Sequence, residues 1–340
     1  MKLGYLIDTN VAPYDGPIPN RDVIADSMQR FLEEGIAAEE AGFDSVNVPE
    51  RHMRTECHFP TPFQLLTALA VRTSKIRLAT HSLVLTLYHP MQAAEQAAVL
   101  DNLSRGRVIL TVAMGYHPAY WQMLGMTSAK RKGRFVEEVE ILRLAFAGKP
   151  FSYQGDHYQL ENVMLTPQAY QQPSLPIWMG GHFEPAIERA GQYGDAWCGD
   201  PFPIDKETWR RRMDLYRESA ARSGRTAYVA IMREAWVAPT SEQAAAAFGD
   251  HFVTEQLFYF KHGLWPKHPD FRAESDVTLK NLWPHIIVGS PEECVGKLGR
   301  YAEEYEVDYC VLRFRMPTGP SFEETKESIQ LFGEQVIPSF

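Results

Sequence analysis

Four ionisable side chains fall within the five positions Glu50 to Arg54, in the run Val48-Pro49-Glu50-Arg51-His52-Met53-Arg54. A carboxylate that orients, a cation that stays charged and an imidazole that takes or gives a proton are the types that acid–base and anion-holding chemistry needs. The apolar stretch just upstream reads as a strand, and charge at the mouth of such a strand points to a ligand; a salt-bridged loop is the plain alternative. A second group follows the next apolar run: Thr80, His81 and Ser82, then His89 directly before Pro90. Proline disfavours a helical His89, so its ring belongs at a loop–helix junction, as a catalytic group or as an ordinary cap. A third group is Met114-Gly115-Tyr116-His117, where glycine lets a flat ligand approach the backbone. The fourth is Ile177-Trp178-Met179-Gly180-Gly181-His182-Phe183-Glu184-Pro185. Here a strand runs into two glycines and a helix start, whose unpaired amides suit an anion such as phosphate.

Other chemistries find less support. His52 and His58 lie six apart with Glu50 and Glu56 interleaved, but no His-Glu-x-x-His or cysteine cluster accompanies them, so no metal is expected. Gly-x-Ser-x-Gly is also missing. The basic run from Lys130 to Arg134 leads into Glu137, Glu138 and Glu140 and reads as a solvated helix face.

The elements that must position these groups alternate. Lys2 to Asp8 reads as a strand, Asp22 to Ala41 as a helix stopped by Gly42, and Phe43 to Val48 as the second strand. Thr61 to Arg72 and Pro90 to Leu103 are helices opened by proline, with strands at Ile76 and at Arg107 to Ala113. After the helix Arg131 to Ala147, residues 148–170 read as an inserted hairpin around Gly155 and Asp156. Strand and helix continue through Pro176, Glu184, Asp195, Lys206, Thr226 and Ser241 to Ala247, and close with Pro291 to Glu304, Val307 to Phe314 and Glu323 to Val336. Residues 250–285, rich in aromatics, prolines and glycines, read as an irregular active-site cover. So many parallel rounds favour a closed (β/α)8 TIM barrel, in one domain over 1–340, above an open doubly wound sheet. The first strand leads into a proline-rich loop, without Gly-x-Gly-x-x-Gly. In a barrel, chemistry sits at the carboxyl ends of the strands, where all four groups lie.

Composition sets bounds. The 340 residues carry 34 Lys and Arg against 43 Asp and Glu, a net charge of −9, which offers no basic excess for a nucleic-acid backbone. No run of eighteen apolar residues suggests a membrane span, the start is too short an apolar run for a signal peptide, and the four scattered cysteines suit a reducing compartment. A cytoplasmic protein is expected.

Taken together, the chain resembles the bacterial luciferase-like flavin-dependent monooxygenases. The residues that carry the likeness are Glu39-Glu40-Ala41-Gly42-Phe43-Asp44-Ser45-Val46 with Pro49-Glu50-Arg51-His52, Tyr88-His89-Pro90, and Leu100-Asp101-Asn102-Leu103-Ser104-Arg105-Gly106-Arg107. Pro176-Ile177-Trp178-Met179-Gly180-Gly181 and the tail from Val288-Gly289-Ser290-Pro291 to Pro338 complete it. The resemblance implies a barrel holding FMN at its mouth, with reduced FMN supplied by a separate reductase. Dioxygen would then form a C4a-(hydro)peroxyflavin that oxygenates a small, hydrophobic organic substrate. It implies a flavin ring near Thr80, His81, Ser82, Met114, Gly115 and Tyr116, with a non-proline cis peptide near Thr80–Ser82 and phosphate around Gly180, Gly181 and His182. Glu50, Arg51, His52 and His89 are the candidate catalytic residues, and a homodimer is the usual assembly. Two departures stand out: arginine at 51 replaces the luciferases' active-site histidine, and Met114 replaces an arginine of their phosphate clamp. Arg51 is suited to holding an anionic peroxide or substrate group, and His52 to acid–base work. A deazaflavin-dependent oxidoreductase and a non-catalytic flavin-binding protein are the alternatives on the same barrel. Trp121, Phe258, Phe260 and Trp265 are candidates for an apolar lining.

Overall fold

Short runs of Val, Ile, Leu and Ala such as Val108–Ala113 are apolar on both faces, and that pattern suits a parallel strand buried between a barrel interior and a layer of helices. The computed structural model describes every residue except 15, 200, 201, 264, 266 and 267. Among the described residues eight parallel strands form a ring: β1 (Lys2–Leu6), β2 (Ser45–Val48), β3 (Arg77–Thr80), β4 (Val108–Ala113), β5 (Ile177–Gly180), β6 (Ala196–Gly199), β7 (Val229–Val237) and β8 (Tyr309–Arg313). Each strand pairs with the next, and β8 returns to β1 with Lys2 opposite Tyr309 and Leu6 opposite Arg313. The ring is therefore a closed (β/α)8 barrel, not an open sheet.

Two cores follow from this closure. Leu6, Ala79, Ile109, Trp178, Cys198, Ala230 and Tyr309 fill the interior, while a larger cluster lies between strands and helices. Gly4 belongs to the tight interior, because a Cβ there would lie 2.6 Å from Ser45 Oγ. The helix Arg21–Ala41 stops at Gly42, whose φ of 92° is the left-handed cap that glycine takes most easily. Pro62 and Pro90 open their helices as the sequence predicts.

The expected hairpin is present as Phe151–Gln154 paired antiparallel with Gln159–Val163. The expected cover differs. Residues 252–261 are not irregular: one helix runs from Ser241 to Lys261, well past Ala247. Phe248 and Phe252 lie one turn apart on its buried face and stack in series with Trp236, so aromatic side chains that look irregular in sequence keep a helical spacing. Beyond it the chain passes through short turns, Glu274–Asp276 and Leu279–Leu282, before Ile287–Gly289 pairs with the end of β7. No helix among the described residues is long and apolar enough to cross a membrane.

Candidate functional site

The carboxyl ends of β3, β4, β5 and β6 open on one cleft of about 530 Å³. His81, Ser82, Met114, Gly115, Tyr116, Gly180, Gly181 and His182 all line it, so eight of the nine expected cofactor residues meet in one place. The ninth, Thr80, is buried beneath, its hydroxyl donating to the Thr111 carbonyl at 2.7 Å. The peptide between His81 and Ser82 is cis, where the resemblance puts one. Burial, aided by the charge of Arg51, pushes the His81 imidazole down to about 4, so it is neutral at physiological pH. Its Nδ1 is buried with no partner among the described residues.

The glycines make this cleft. A Cβ on Gly181 would stand 2.5 Å from the Ala186 methyl and one on Gly180 3.2 Å from Ser82 Oγ, while Gly115 has φ 76° and no room beside Val84. Gly180 and Gly181 lead into the helix Glu184–Tyr193, whose N-cap Phe183 gives no side-chain cap; Pro185 has no N–H and the Ala186 and Ile187 amides donate to the Phe183 carbonyl. Three basic residues join them. Arg131, Lys132 and Arg189 line the same cleft, and the Nε atoms of Arg131 and Arg189 are buried without an acceptor among the described residues.

Lys130 and Lys132 are exposed, as a solvated face requires, whereas Arg131 and Arg134 are half-buried. Arg131 and Lys132 start the helix Arg131–Phe146 at the cleft, and the acidic residues that follow dock the hairpin. Glu137 accepts from the amides of Asp156, His157 and Tyr158, and Glu138 is buried against Tyr158 and Arg134. The cleft beside Met114 thus takes its basic lining from a helix that begins 17 residues further on, beyond the strand ends where the sequence places the site.

Glu50, at the end of β2, is buried and accepts three hydrogen bonds: from the Val84 amide at 2.6 Å, from Tyr88 Oη at 2.9 Å and from His52 Nε2 at 2.7 Å. Burial and the nearby carboxylate push the Tyr88 phenol up, keeping it a donor. With Nε2–H given to Glu50, His52 keeps Nδ1 for another partner. Its ring packs edge-on against Tyr120 at 5.4 Å.

Arg51 points elsewhere. Its Nη1 donates to Asp8 Oδ1 at 3.0 Å, and Asp8 also accepts from Arg313 Nε at 2.8 Å. Burial would raise the Asp8 carboxyl, but Arg313, Arg51 and Arg315 overcome this and hold it at about 2. Arg313 in turn grips Glu255, at 2.7 and 2.8 Å, tying the helix Ser241–Lys261 to β8. Tyr14 bonds Glu255 and Tyr259 and stacks on Phe258 with centroids 4.3 Å apart. Asp8, Arg313 and Glu255 gave no signal in the sequence, because isolated charges in separate elements become a cluster only when the barrel closes.

His89 stands apart from these groups: its Nδ1 caps the helix Pro90–Ser104 by accepting from the Met91 amide at 3.3 Å, and its ring meets Tyr158. The four residues expected as an apolar lining are spread over three packing groups. Trp121 is buried with Val84 and Tyr120, Phe260 packs on Trp265, and Phe258 covers Tyr14. All four cysteines are free thiols.

Comparison with known proteins places this geometry. The model of the luciferase-like monooxygenase family matches residues 1–305. The oxygenase component of the flavin-dependent trigonelline monooxygenase of Acinetobacter baylyi is 25% identical over 321 residues, covering 89% of this chain and 87% of that protein. A monooxygenase from Streptomyces bottropensis superposes with a TM-score of 0.82 at 21% identity over 99% of both chains. The oxygenating constituent of the 3,6-diketocamphane monooxygenase of Pseudomonas putida, solved with FMN, gives 0.80 at 18% identity over 99% of this chain and 98% of its own.

Proposed function

The chain belongs to the bacterial luciferase-like flavin-dependent monooxygenase family and is an oxidoreductase, and from that premise we propose that it is the oxygenase component of a two-component system. It takes reduced FMN from a separate reductase and uses dioxygen to oxygenate a small organic substrate at the barrel mouth. The observation that carries the cofactor is one cleft lined by Arg131, Arg189 and His81, each with a buried nitrogen lacking a partner among the described residues. A buried polar atom left unpaired costs ~1–3 kcal/mol, and a phosphate with a polar ring edge satisfies all three. The glycines at 180 and 181 leave the space, and the fold neighbour solved with FMN and the relative named an oxygenase component support the same assignment.

Bound reduced FMN supplies the two electrons that activate dioxygen. The chain does the rest. Arg131, Lys132 and Arg189 would hold the phosphate beside Gly180, Gly181 and His182, and His81, Ser82, Met114, Gly115 and Tyr116 would lie along the ring. Arg51 holds an anionic group by charge, and His52 moves a proton at Nδ1 while Glu50 fixes its ring and balances its charge. The Tyr14–Phe258 stack keeps water from the mouth. The same reading makes the protein a one-domain cytoplasmic enzyme and a homodimer, for which the exposed Val71, just after the helix Pro62–Ala70, and Val99 and Leu103 on the neighbouring helix Pro90–Ser104 give an apolar face. Anaerobic titration with reduced FMN and with a reduced deazaflavin tests the cofactor. Saturable binding of reduced FMN is expected; binding of the deazaflavin alone, with hydride transfer to substrate in the absence of dioxygen, overturns the proposal.

A further inference from the structure

We infer that the hairpin of residues 151–163 positions the phosphate-holding end of the helix Arg131–Phe146, with Glu137, Glu138 and Tyr158 as the positioning residues. The inference rests on the reading of the cleft as an FMN site, and adds to it the part of the fold that keeps Arg131 and Lys132 in place.

That helix starts against its own electrostatics. Arg131, Lys132 and Arg134 lie in its opening turn, no acidic residue stands there, and the N-cap Lys130, at φ 59°, gives no side-chain cap. The partial positive charge of a helix N-terminus repels cations, and uncapped amides leave the turn prone to fray. Such a turn suits an anion in the cleft, but it breaks the local rules for a stable helix start and needs fastening from outside the helix.

The hairpin supplies the fastening. Glu137 accepts from the amides of Asp156, His157 and Tyr158 at 2.9, 3.0 and 3.0 Å, and Glu140 accepts from Tyr153 Oη at 2.6 Å. The His157 ring lies against the opening turn itself, so close that a Cβ on Gly133 would stand 2.7 Å from its Nε2. Glu138, fully buried, accepts from Tyr158 Oη at 2.7 Å and from Arg134 Nη2 at 3.2 Å. The same Arg134 nitrogen donates to the Thr86 carbonyl at 2.7 Å, and the Thr86 hydroxyl donates to the Met114 carbonyl at 2.9 Å. Met114 lines the cleft, as Arg131 and Lys132 do. A continuous run of hydrogen bonds therefore joins the hairpin to the helix start and to the cleft wall. No residue from 151 to 163 lines the cleft, so the hairpin acts on a bound flavin through that helix.

Titration of the full-length protein with FMN and with riboflavin, followed by flavin fluorescence, tests this in two variants. Tyr158→Phe removes one donor and keeps the ring, and Glu137→Gln loosens the grip on the hairpin tip. Residues along such a network change binding at a distance by about 3- to 30-fold. Each variant is expected to lose that much FMN affinity with riboflavin nearly unmoved. Tyr158→Phe should cost less in an Arg131→Gln background than in the wild type, because the hydroxyl acts through the turn that carries that arginine. A full FMN preference kept by both variants, an equal loss of FMN and riboflavin, or the same loss with and without Arg131 overturns the proposal alone. Equal affinity of the wild type for the two flavins defeats the phosphate reading of the cleft, and the proposal with it.

Discussion

Replacing Arg131 by glutamine isolates the phosphate-holding role of the helix Arg131–Phe146. In the structure Arg131 lines the cleft with its Nε shielded from water and unpaired, and its guanidinium also lies 5.7 Å from the Trp121 ring centroid. A hydrogen bond to a charged group contributes ~1.5–3 kcal/mol, so losing one charge-assisted contact to phosphate should weaken FMN by about 10- to 100-fold. Arg189→Gln should act similarly. The double variant should fall short of the product of the two losses, because both arginines serve one phosphate. Riboflavin is the internal control, since it has the ring but no phosphate. Titrations followed by flavin fluorescence should show wild type preferring FMN and the variants approaching riboflavin from the FMN side, with riboflavin itself nearly unmoved. Equal affinity of wild type for the two flavins refutes the reasoning. So does an equal loss of both in Arg131→Gln, which would make the residue a support for the fold through Trp121.

His52→Ala and Glu50→Gln should lower turnover by about 10²- to 10⁴-fold, the usual range for a lost acid–base group, while leaving reduced FMN affinity in place; equal turnover at saturating reduced flavin rejects the dyad. Phe258→Ala removes the ring stacked on Tyr14 and should raise hydrogen peroxide released per flavin oxidised, read by a peroxide assay beside product; unchanged coupling rejects the water-excluding role. Asp8 gives a pH test. Its folded carboxyl is held at about 2 against an ordinary 3.8, so its stabilisation of roughly 2 kcal/mol is complete above about pH 4 and is lost as pH falls towards 2. Denaturant melts should show the stability gap between wild type and Asp8→Asn narrowing across that window, and a constant gap contradicts the assignment.

Much of the barrel was legible because parallel strands announce themselves as apolar runs and proline and glycine mark the ends of their helices. The cleft was legible for a related reason: barrel sites lie at strand ends, and Thr80–Ser82, Met114–Tyr116 and Gly180–His182 are strand ends. What escaped was chemistry carried by helices or by closure. Arg131 and Lys132 sit at the start of a helix whose later acidic residues suggest solvent, yet those carboxylates grip a hairpin. Arg313 and Asp8 are 305 residues apart and meet only because β8 pairs with β1. His89 shows the opposite failure. A histidine before proline at a helix start is well placed for chemistry by sequence, and its nitrogen is engaged in capping.

Rapid mixing of the anaerobic complex of this protein and reduced FMN with dioxygen, followed by the flavin spectrum, tests the central claim most directly. A cleft that holds the flavin by Arg131, Arg189 and His81 beside a dry mouth should make flavin reoxidation pass through a delayed phase, far slower than that of free reduced FMN in the same buffer. Reoxidation at the rate of free flavin, or failure of reduced FMN to bind before mixing, would contradict it.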